Sequence, residues 1–235
     1  MVRFGCGTIA LDDAHAAPVA RRPFRNRLTT LFASLSVGLV TEPCTGYGFA
    51  ERLCFEQSDD VDHCPRLCGV GTRQKRLVGI KQLHVYAVGL YVGESFTSSG
   101  RAWDEELVAR SDVDKIISCI ISSGFVSRKK FVDALDDALV PAAKSTGSEA
   151  TLSRFRHLFD DVAFKKGLHL DFYLRNGSLT AVADGRKLGS LHDPAFSRAF
   201  LNVYLGPEPV SPTAKDAFRK GLLSFAKAEA MDEKV

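Results

Sequence analysis

The feature that most limits how this chain can fold is a series of three short segments at residues 168–175, 179–183 and 187–191. Asn176-Gly177 separates the first two segments, and Asp184-Gly185 separates the second from the third. Both dipeptides favour the positive φ angles of a type I′ turn, which joins neighbouring antiparallel strands in a tight hairpin. The sequence therefore predicts an antiparallel meander of three strands.

Further strands are predicted before the meander. Residues 83–92 (LHVYAVGLYV) are apolar at nearly every position, which is typical of a central strand covered on both faces. The other segments with strand-like composition are residues 49–55, 72–78 and 115–125.

Helices are predicted at residues 103–110, 127–140, 149–159, 194–204 and 212–228. We expect Ser127 to cap the second of these helices and Pro141 to end it. Asp193-Pro194 and Ser211-Pro212 are cap-then-proline signals that open the last two. Strands and helices occur in runs instead of strict alternation. The predicted class is therefore α+β, with an antiparallel sheet and the helices packed on one face.

Residues 1–41 differ from the remainder of the chain. They contain a cluster of Arg21, Arg22, Arg25 and Arg27, followed by an apolar stretch at residues 28–40 that is too short to cross a membrane. We interpret residues 1–41 as a targeting extension, with an organelle transit peptide preferred over a secretory signal or a disordered segment. The folded domain is expected at residues 42–228, followed by a tail at 229–235.

Composition and charge exclude several classes of function. A net charge of +3 is too small to predict a nucleic-acid-binding protein. The six cysteines show no repeated spacing and are predicted to be reduced thiols. Cys64 and Cys68, beside His63, lack a second pair of ligands at a suitable spacing, so no metal site is predicted.

Known catalytic and cofactor motifs are also missing from the sequence. No Gly-x-Ser-x-Gly element is present. The Gly-Val-Gly at residues 69–71 lacks the third glycine of a dinucleotide-binding loop, and it leads into a predicted strand instead of a helix. We therefore predict no cofactor.

Four segments, in the same order along the chain, resemble the chalcone isomerase family. They are residues 69–92 (GVGTRQKRLVGIKQLHVYAVGLYV), 126–139 (VSRKKFVDALDDAL), 176–191 (NGSLTAVADGRKLGSL) and 200–218 (FLNVYLGPEPVSPTAKDAF). The resemblance covers residues 44–228 and is nearest to the fatty-acid-binding branch of the family. It implies an open-faced β-sandwich of the chalcone isomerase type.

The resemblance also implies a ligand site. Arg73 matches the arginine in the family's cleft, where its planar guanidinium can pair with a carboxylate. Tyr86 stands where the isomerases are expected to carry a threonine that holds the substrate ketone, and its phenol can donate to a carboxylate oxygen. The family's isomerases further use a tyrosine and an asparagine on a helix, and the stretch that we match to it, residues 144–155, contains neither.

The predicted function is therefore non-catalytic binding of an apolar acid, a fatty acid, in a tunnel between the central strands and the flanking helices. The alternatives are a chalcone-flavanone isomerase, acting as an intramolecular lyase, and a non-catalytic helper of a flavonoid pathway. Resemblance to plastid fatty-acid binders and the arginine-rich extension favour the plastid stroma, with the mitochondrion as the alternative. The oligomeric state is left open.

Overall fold

A six-stranded antiparallel sheet, whose strands lie side by side in chain order, dominates the structure. The computed structural model describes residues 38–54, 64–77, 80–93, 95–96 and 103–232. The sheet strands are β3 (Arg66–Leu77), β4 (Ile80–Val92), β5 (Lys115–Ile121), β6 (His169–Arg175), β7 (Ser178–Ala183) and β8 (Arg186–His192). Two short strands, β1 (Leu39–Thr41) and β2 (Gly48–Ala50), pair in a separate hairpin.

The predicted meander is confirmed as β6, β7 and β8. Asn176 and Gly177 have φ angles of 48° and 73°, and Asp184 and Gly185 have φ angles of 47° and 79°. These are the positive values that a type I′ turn requires. The register pairs Arg175 with Ser178 directly across the first turn.

The described residues form five helices. Helix α1 (Trp103–Ala109) lies between β4 and β5, α2 (Arg128–Thr146) and α3 (Glu149–His157) lie between β5 and β6, and α4 (Pro194–Leu205) and α5 (Pro212–Asp232) follow β8. The predicted caps are confirmed. Asp193 accepts a hydrogen bond from the Phe196 amide at 2.9 Å, and Ser127 and Ser211 accept from the amides three residues further on, each at 3.3 Å. Together with the antiparallel sheet, these helices confirm the predicted α+β class.

Pro141 does not end α2, so that prediction is wrong. The helix continues to Thr146 and ends where Gly147 adopts a left-handed φ of 70°. Because Pro141 is exposed, the carbonyl that loses its amide partner lies at the solvent side of the helix, where water can bond to it. The helix therefore tolerates the proline, and residues 144–146 are helical instead of forming a loop.

The helices pack on one face of the sheet, as predicted. Their main core is rich in phenyl rings, including those of Phe131, Phe155, Phe172 and Phe200. The opposite face carries a smaller apolar cluster in which Phe49, from the β1–β2 hairpin, covers Tyr91 and Ile120. The sheet therefore has one thickly covered face and one thinly covered face.

The Gly-Val-Gly motif serves the packing of α5 on β3. A Cβ atom on Gly71 would lie 2.6 Å from the Cα of Ala214, and one on Gly69 would lie 2.7 Å from the Ala217 carbonyl oxygen. Both contacts are shorter than packed atoms tolerate. The glycines therefore allow a helix to lie directly against the strand.

The prediction that all cysteines are reduced is wrong for Cys54 and Cys64, which form a disulfide. Cys44 is also disulfide-bonded. Cys68 and Cys119 are free and buried in the core. Among the described residues, no group of three or more histidine, cysteine or acidic side chains comes together to hold a metal ion, and no helix is long and apolar enough to span a membrane.

The folded unit to which these elements belong begins at Gly38, four residues before the expected domain start at Glu42. Residues 1–37, which hold most of the predicted targeting extension, lie outside the described part of the chain.

Candidate functional site

A β-bulge brings the two predicted site residues together. Arg73 on β3 pairs directly with Tyr86 on β4, whereas the next residue of β3, Gln74, pairs with His84. Val85 is therefore the extra residue of a bulge, and it interrupts the alternation of β4 side chains between the two faces of the sheet. As a result Val85 and Tyr86 both pack towards the helices.

Tyr86 is completely buried beneath Arg73. The Arg73 guanidinium carbon lies 5.7 Å from the centre of the Tyr86 ring, and the Phe131 ring of α2 meets Tyr86 edge-on at 6.1 Å. Burial raises the pKa of Tyr86 to about 12, with a further rise from the neighbouring Cys119 and opposing effects of Arg73 and of the Tyr204 hydroxyl. The phenol therefore keeps its proton at neutral pH and acts as a hydrogen-bond donor.

The hydroxyl of Tyr86 has no hydrogen-bond partner within the described residues. A buried hydroxyl without a partner costs about 1–3 kcal/mol, and such groups are rare in native proteins. Arg73 likewise forms no ion pair with any described carboxylate. A buried hydroxyl without a hydrogen bond of normal geometry and a cation without a carboxylate partner thus lie side by side, with the Tyr204 hydroxyl as a further polar neighbour of Tyr86.

Tyr204 of α4 and Cys119 of β5 extend this polar group into the core. The Tyr204 hydroxyl lies 3.7 Å from the Cys119 sulfur, and both side chains are buried. Burial raises the pKa of Tyr204 well above its usual value and that of Cys119 to about 12, so both groups are neutral. Sequence reasoning missed these residues, because each lies among apolar residues of an ordinary core pattern.

An open cleft of about 360 Å³ lies beside Arg73. The edge of the β3–β4 pair forms one wall, α2 forms the other, and the turn before α2 closes one end. The apolar lining residues are Leu83, Val85, Phe125, Val126 and Ala134. The charged ones are Arg73, Lys75, Lys130, Asp133 and Asp137. The cleft thus combines apolar side chains with three cations and two carboxylates, and its volume falls at the lower end of ligand-binding pockets.

Phenyl rings fill the core that lies deeper than Tyr86. Phe131 contacts Phe159 at a ring separation of 6.0 Å, and Phe172 contacts Phe200 at 4.8 Å. The space between the central strands and the helices, where we expected a tunnel, is thus occupied by packed side chains in this structure. Open space lies instead in the cleft at the sheet edge and in a second cleft of about 360 Å³ between α2 and α4.

The helix that faces the cleft is α2, and residues 144–155, which we matched to the family's catalytic helix, do not line it. The match of residues 144–155 to that helix stays a prediction. The functional conclusion is unchanged, because α2 also contains neither a tyrosine nor an asparagine. Instead it presents Lys130, Asp133, Ala134 and Asp137 to the cleft.

Two curated plant proteins are similar to this chain in sequence. Fatty-acid-binding protein 1 of Arabidopsis thaliana is 26% identical, over 93% of this chain and 84% of its own length. Fatty-acid-binding protein 2 of the same plant is 25% identical, over 79% of this chain but only 51% of its own length. Both relatives are named as binding proteins and not as enzymes.

A crystal structure of an Arabidopsis thaliana fatty-acid binding protein superposes with a TM-score of 0.65 at 25% identity, and covers 81% of this chain and 100% of that one. It confirms the predicted open-faced fold and the nearness to the fatty-acid-binding branch. The sequence profile described as chalcone isomerase-like matches residues 62–224, well over half of the chain. The chain therefore belongs to the chalcone isomerase-like family.

Proposed function

We propose that this protein binds a fatty acid without transforming it, and that Arg73 and Tyr86 hold the carboxylate. The observation that carries the proposal is the buried Tyr86 hydroxyl, which has no partner among the described residues and lies beneath the unpaired guanidinium of Arg73. Tyr86 itself does not line the cleft, so one carboxylate would accept from both groups only once the side chains that cover the Tyr86 hydroxyl move aside. Charge-assisted hydrogen bonds of this kind are the strong ones, each contributing about 1.5–3 kcal/mol.

The acyl chain of the ligand would lie along the apolar floor of the cleft, against Leu83, Val85 and Val126. Each methylene group that leaves water contributes about 0.8 kcal/mol. A chain that buries about half of its methylene groups there gains enough to offset part of the cost of association. Deeper insertion requires the Phe131 ring, which contacts Tyr86, to change its rotamer.

Isomerase activity is disfavoured by the same geometry. Closing a chalcone to a flavanone depends on holding the phenolate against the enone, which is largely a matter of positioning. No tyrosine or asparagine of α2 is available for that task, and Tyr86 occupies space that an aromatic ring of the substrate would need. Arg73 alone offers an anion site without the groups that would orient a reacting ketone.

The test is to purify the full chain from a heterologous host, remove bound lipid, and titrate it with dodecanoate and hexadecanoate by calorimetry. We expect Arg73→Ala to weaken binding by about tenfold to a hundredfold, the loss of a charge-assisted contact. Lys75→Ala is the matched control, since Lys75 is a second cation on the same wall of the cleft. Its removal should change the dissociation constant by no more than about threefold.

Two results would contradict the proposal. One is a wild-type protein that binds neither acid and carries no fatty acid when extracted under denaturing conditions. The other is an Arg73→Ala variant that binds as tightly as Lys75→Ala. A chalcone turnover assay on the same preparations tests the isomerase alternative directly.

We further propose that residues 1–41 direct the protein to the plastid stroma. Support comes from the arginine cluster and short apolar stretch of that segment. Fusing residues 1–41 to a fluorescent protein and following its import in plant cells tests this. Accumulation in mitochondria, or no import into any organelle, would overturn the plastid assignment.

A further inference from the structure

The turn that closes one end of the cleft, residues 122–127, presents an apolar side chain to solvent. Phe125 is 69% exposed although it is one of the residues that line the cleft. A Cβ on the preceding Gly124 would meet nothing within 4 Å, so the tip of the turn projects freely. We call residues 122–127 the Phe125 turn.

Hydrogen bonds hold the Phe125 turn in its outward position. The Ser123 hydroxyl accepts from the Phe125 amide at 3.2 Å, and the Ser123 carbonyl accepts from the Val126 amide at 3.2 Å. The Lys130 ammonium donates to the Phe125 carbonyl at 3.0 Å. The phenyl ring is thus held away from the core by ordered backbone.

Cations surround the Phe125 turn. Arg128, Lys129 and Lys130 form the first turn of α2, and no acidic residue offsets them there. They lie at the positive end of the helix dipole, where cations are unfavourable and carboxylates are the usual choice. Their placement therefore weakens α2 locally, which suggests a purpose other than helix stability.

Acidic groups reduce this charge but do not cancel it. Arg128 pairs with Asp160 and Lys129 pairs with Asp133, while Asp137 lines the cleft. Against these three carboxylates stand the three cations of α2 together with Arg73 and Lys75. The surface around the cleft opening is therefore positive, with Phe125 at its edge.

We propose that this face docks on an anionic lipid bilayer, with the Phe125 ring inserted among the headgroups and the cations paired with lipid phosphates. The inference builds on the proposed fatty-acid site and names where its ligand is taken up or released. Aromatic rings at the headgroup level and nearby cations are the combination that anchors proteins to membrane surfaces. With the ring inserted, the cleft opens directly onto the bilayer, the phase in which free fatty acids concentrate.

A bilayer fits this surface better than a protein partner does. Stable protein interfaces need a broad, closely fitting patch with several buried anchors. The large hydrophobic side chains that are exposed in the described ranges are Phe125, Leu39 and Val40, and only Phe125 lies at the cleft. One apolar anchor within a ring of cations suffices for a headgroup layer, which requires no fixed shape.

The test measures co-sedimentation of the full chain with two kinds of phosphatidylcholine vesicle. One kind contains no anionic lipid, and the other contains about 30% phosphatidylglycerol, which gives it a negative surface potential. All variants are made in a background with Arg21, Arg22, Arg25 and Arg27 changed to Gln, because that cluster could itself attract anionic lipid. We expect binding to the anionic vesicles only, and weaker binding at high salt.

Phe125→Ser should lower vesicle binding by about fivefold or more, since the anchor is lost. Leu39→Ser is the matched control, because Leu39 is also 69% exposed but lies on the β1–β2 hairpin. It should leave binding unchanged. Arg128→Gln with Lys129→Gln should lower binding by about tenfold. This pair removes charges that oppose the helix dipole but also two ion pairs, so the Tm of the variant is measured alongside to separate lost charge from lost folding.

Equal effects of Phe125→Ser and Leu39→Ser, or equal binding to neutral and anionic vesicles, would overturn the proposal. A wild-type protein that binds neither kind of vesicle but binds an acidic carrier protein would also overturn the proposal. Calorimetry with dodecanoate in the absence of vesicles separates this inference from the proposed function. The variant with Arg128→Gln and Lys129→Gln, two residues that do not line the cleft, should bind dodecanoate within about threefold of wild type even though it no longer docks.

Discussion

Replacing Tyr86 with phenylalanine should stabilise the empty protein and weaken the liganded one. The hydroxyl that this change removes is buried and lacks a partner among the described residues. Leaving such a group unsatisfied costs about 1–3 kcal/mol, so its removal should raise the free energy of unfolding by at least about 1 kcal/mol. For a folded unit of this size, 1 kcal/mol corresponds to a rise in Tm of about 2–4 °C.

Adding fatty acid should reverse which of the two proteins, wild type or Tyr86→Phe, is the more stable. In the complex the Tyr86 hydroxyl donates to the carboxylate, a contact that contributes about 1.5–3 kcal/mol. Tyr86→Phe should therefore weaken dodecanoate binding by about tenfold or more. Because a ligand stabilises the native state according to its affinity, the Tm gain on adding dodecanoate should be smaller in the variant than in wild type.

Differential scanning calorimetry with and without dodecanoate measures both effects. Tyr204→Phe is the matched control: it removes a buried hydroxyl that has a partner, the Cys119 sulfur 3.7 Å away. It should give no gain in the Tm of the empty protein. A Tyr86→Phe variant that is less stable than wild type when empty would refute the reasoning, since the hydroxyl must then have a partner.

Three further predictions follow from individual residues. Arg73→Lys keeps the charge but loses the planar fork, so dodecanoate affinity should fall by about tenfold in calorimetry. Burial lowers the pKa of Lys115 to about 8, so below pH 8 the folded state carries a buried positive charge. Above pH 8 the folded state loses this proton before the unfolded state does, so the free energy of unfolding in urea titrations should rise from pH 8 towards pH 10. Lys115→Met should remove that rise. Gly71→Ala places a Cβ 2.6 Å from the Ala214 Cα and should lower the free energy of unfolding by about 1–3 kcal/mol.

Predictions that depended on local backbone chemistry succeeded. Asn-Gly and Asp-Gly specify their turn because few other residues adopt positive φ at low cost, and the φ angles at Asn176 and Asp184 agree. Asp193 caps α4 because its carboxylate reaches an amide only three residues away. Such interactions involve near neighbours, so the sequence carries the information without knowledge of the fold.

Predictions that depended on distant contacts or on solvent exposure failed. Pro141 was expected to end α2, but an exposed helix face lets water replace the missing amide bond. Cys54 and Cys64 pair across a sequence separation of 10, which spacing alone did not indicate. The sheet-edge cleft and its α2 wall were also missed, because they exist only once β4 and α2 are packed together.

The sequence by itself determined the class of fold, the order of its strands and helices, and the family, including Arg73 and Tyr86 as the residues to inspect. Only the tertiary structure decided what surrounds them. The bulge at Val85 turns Tyr86 towards the helices, where Phe131 packs edge-on against its ring and its hydroxyl is buried without a hydrogen-bond partner among the described residues. A side chain's identity is local, but whether its polar atom is satisfied depends on every element packed around it.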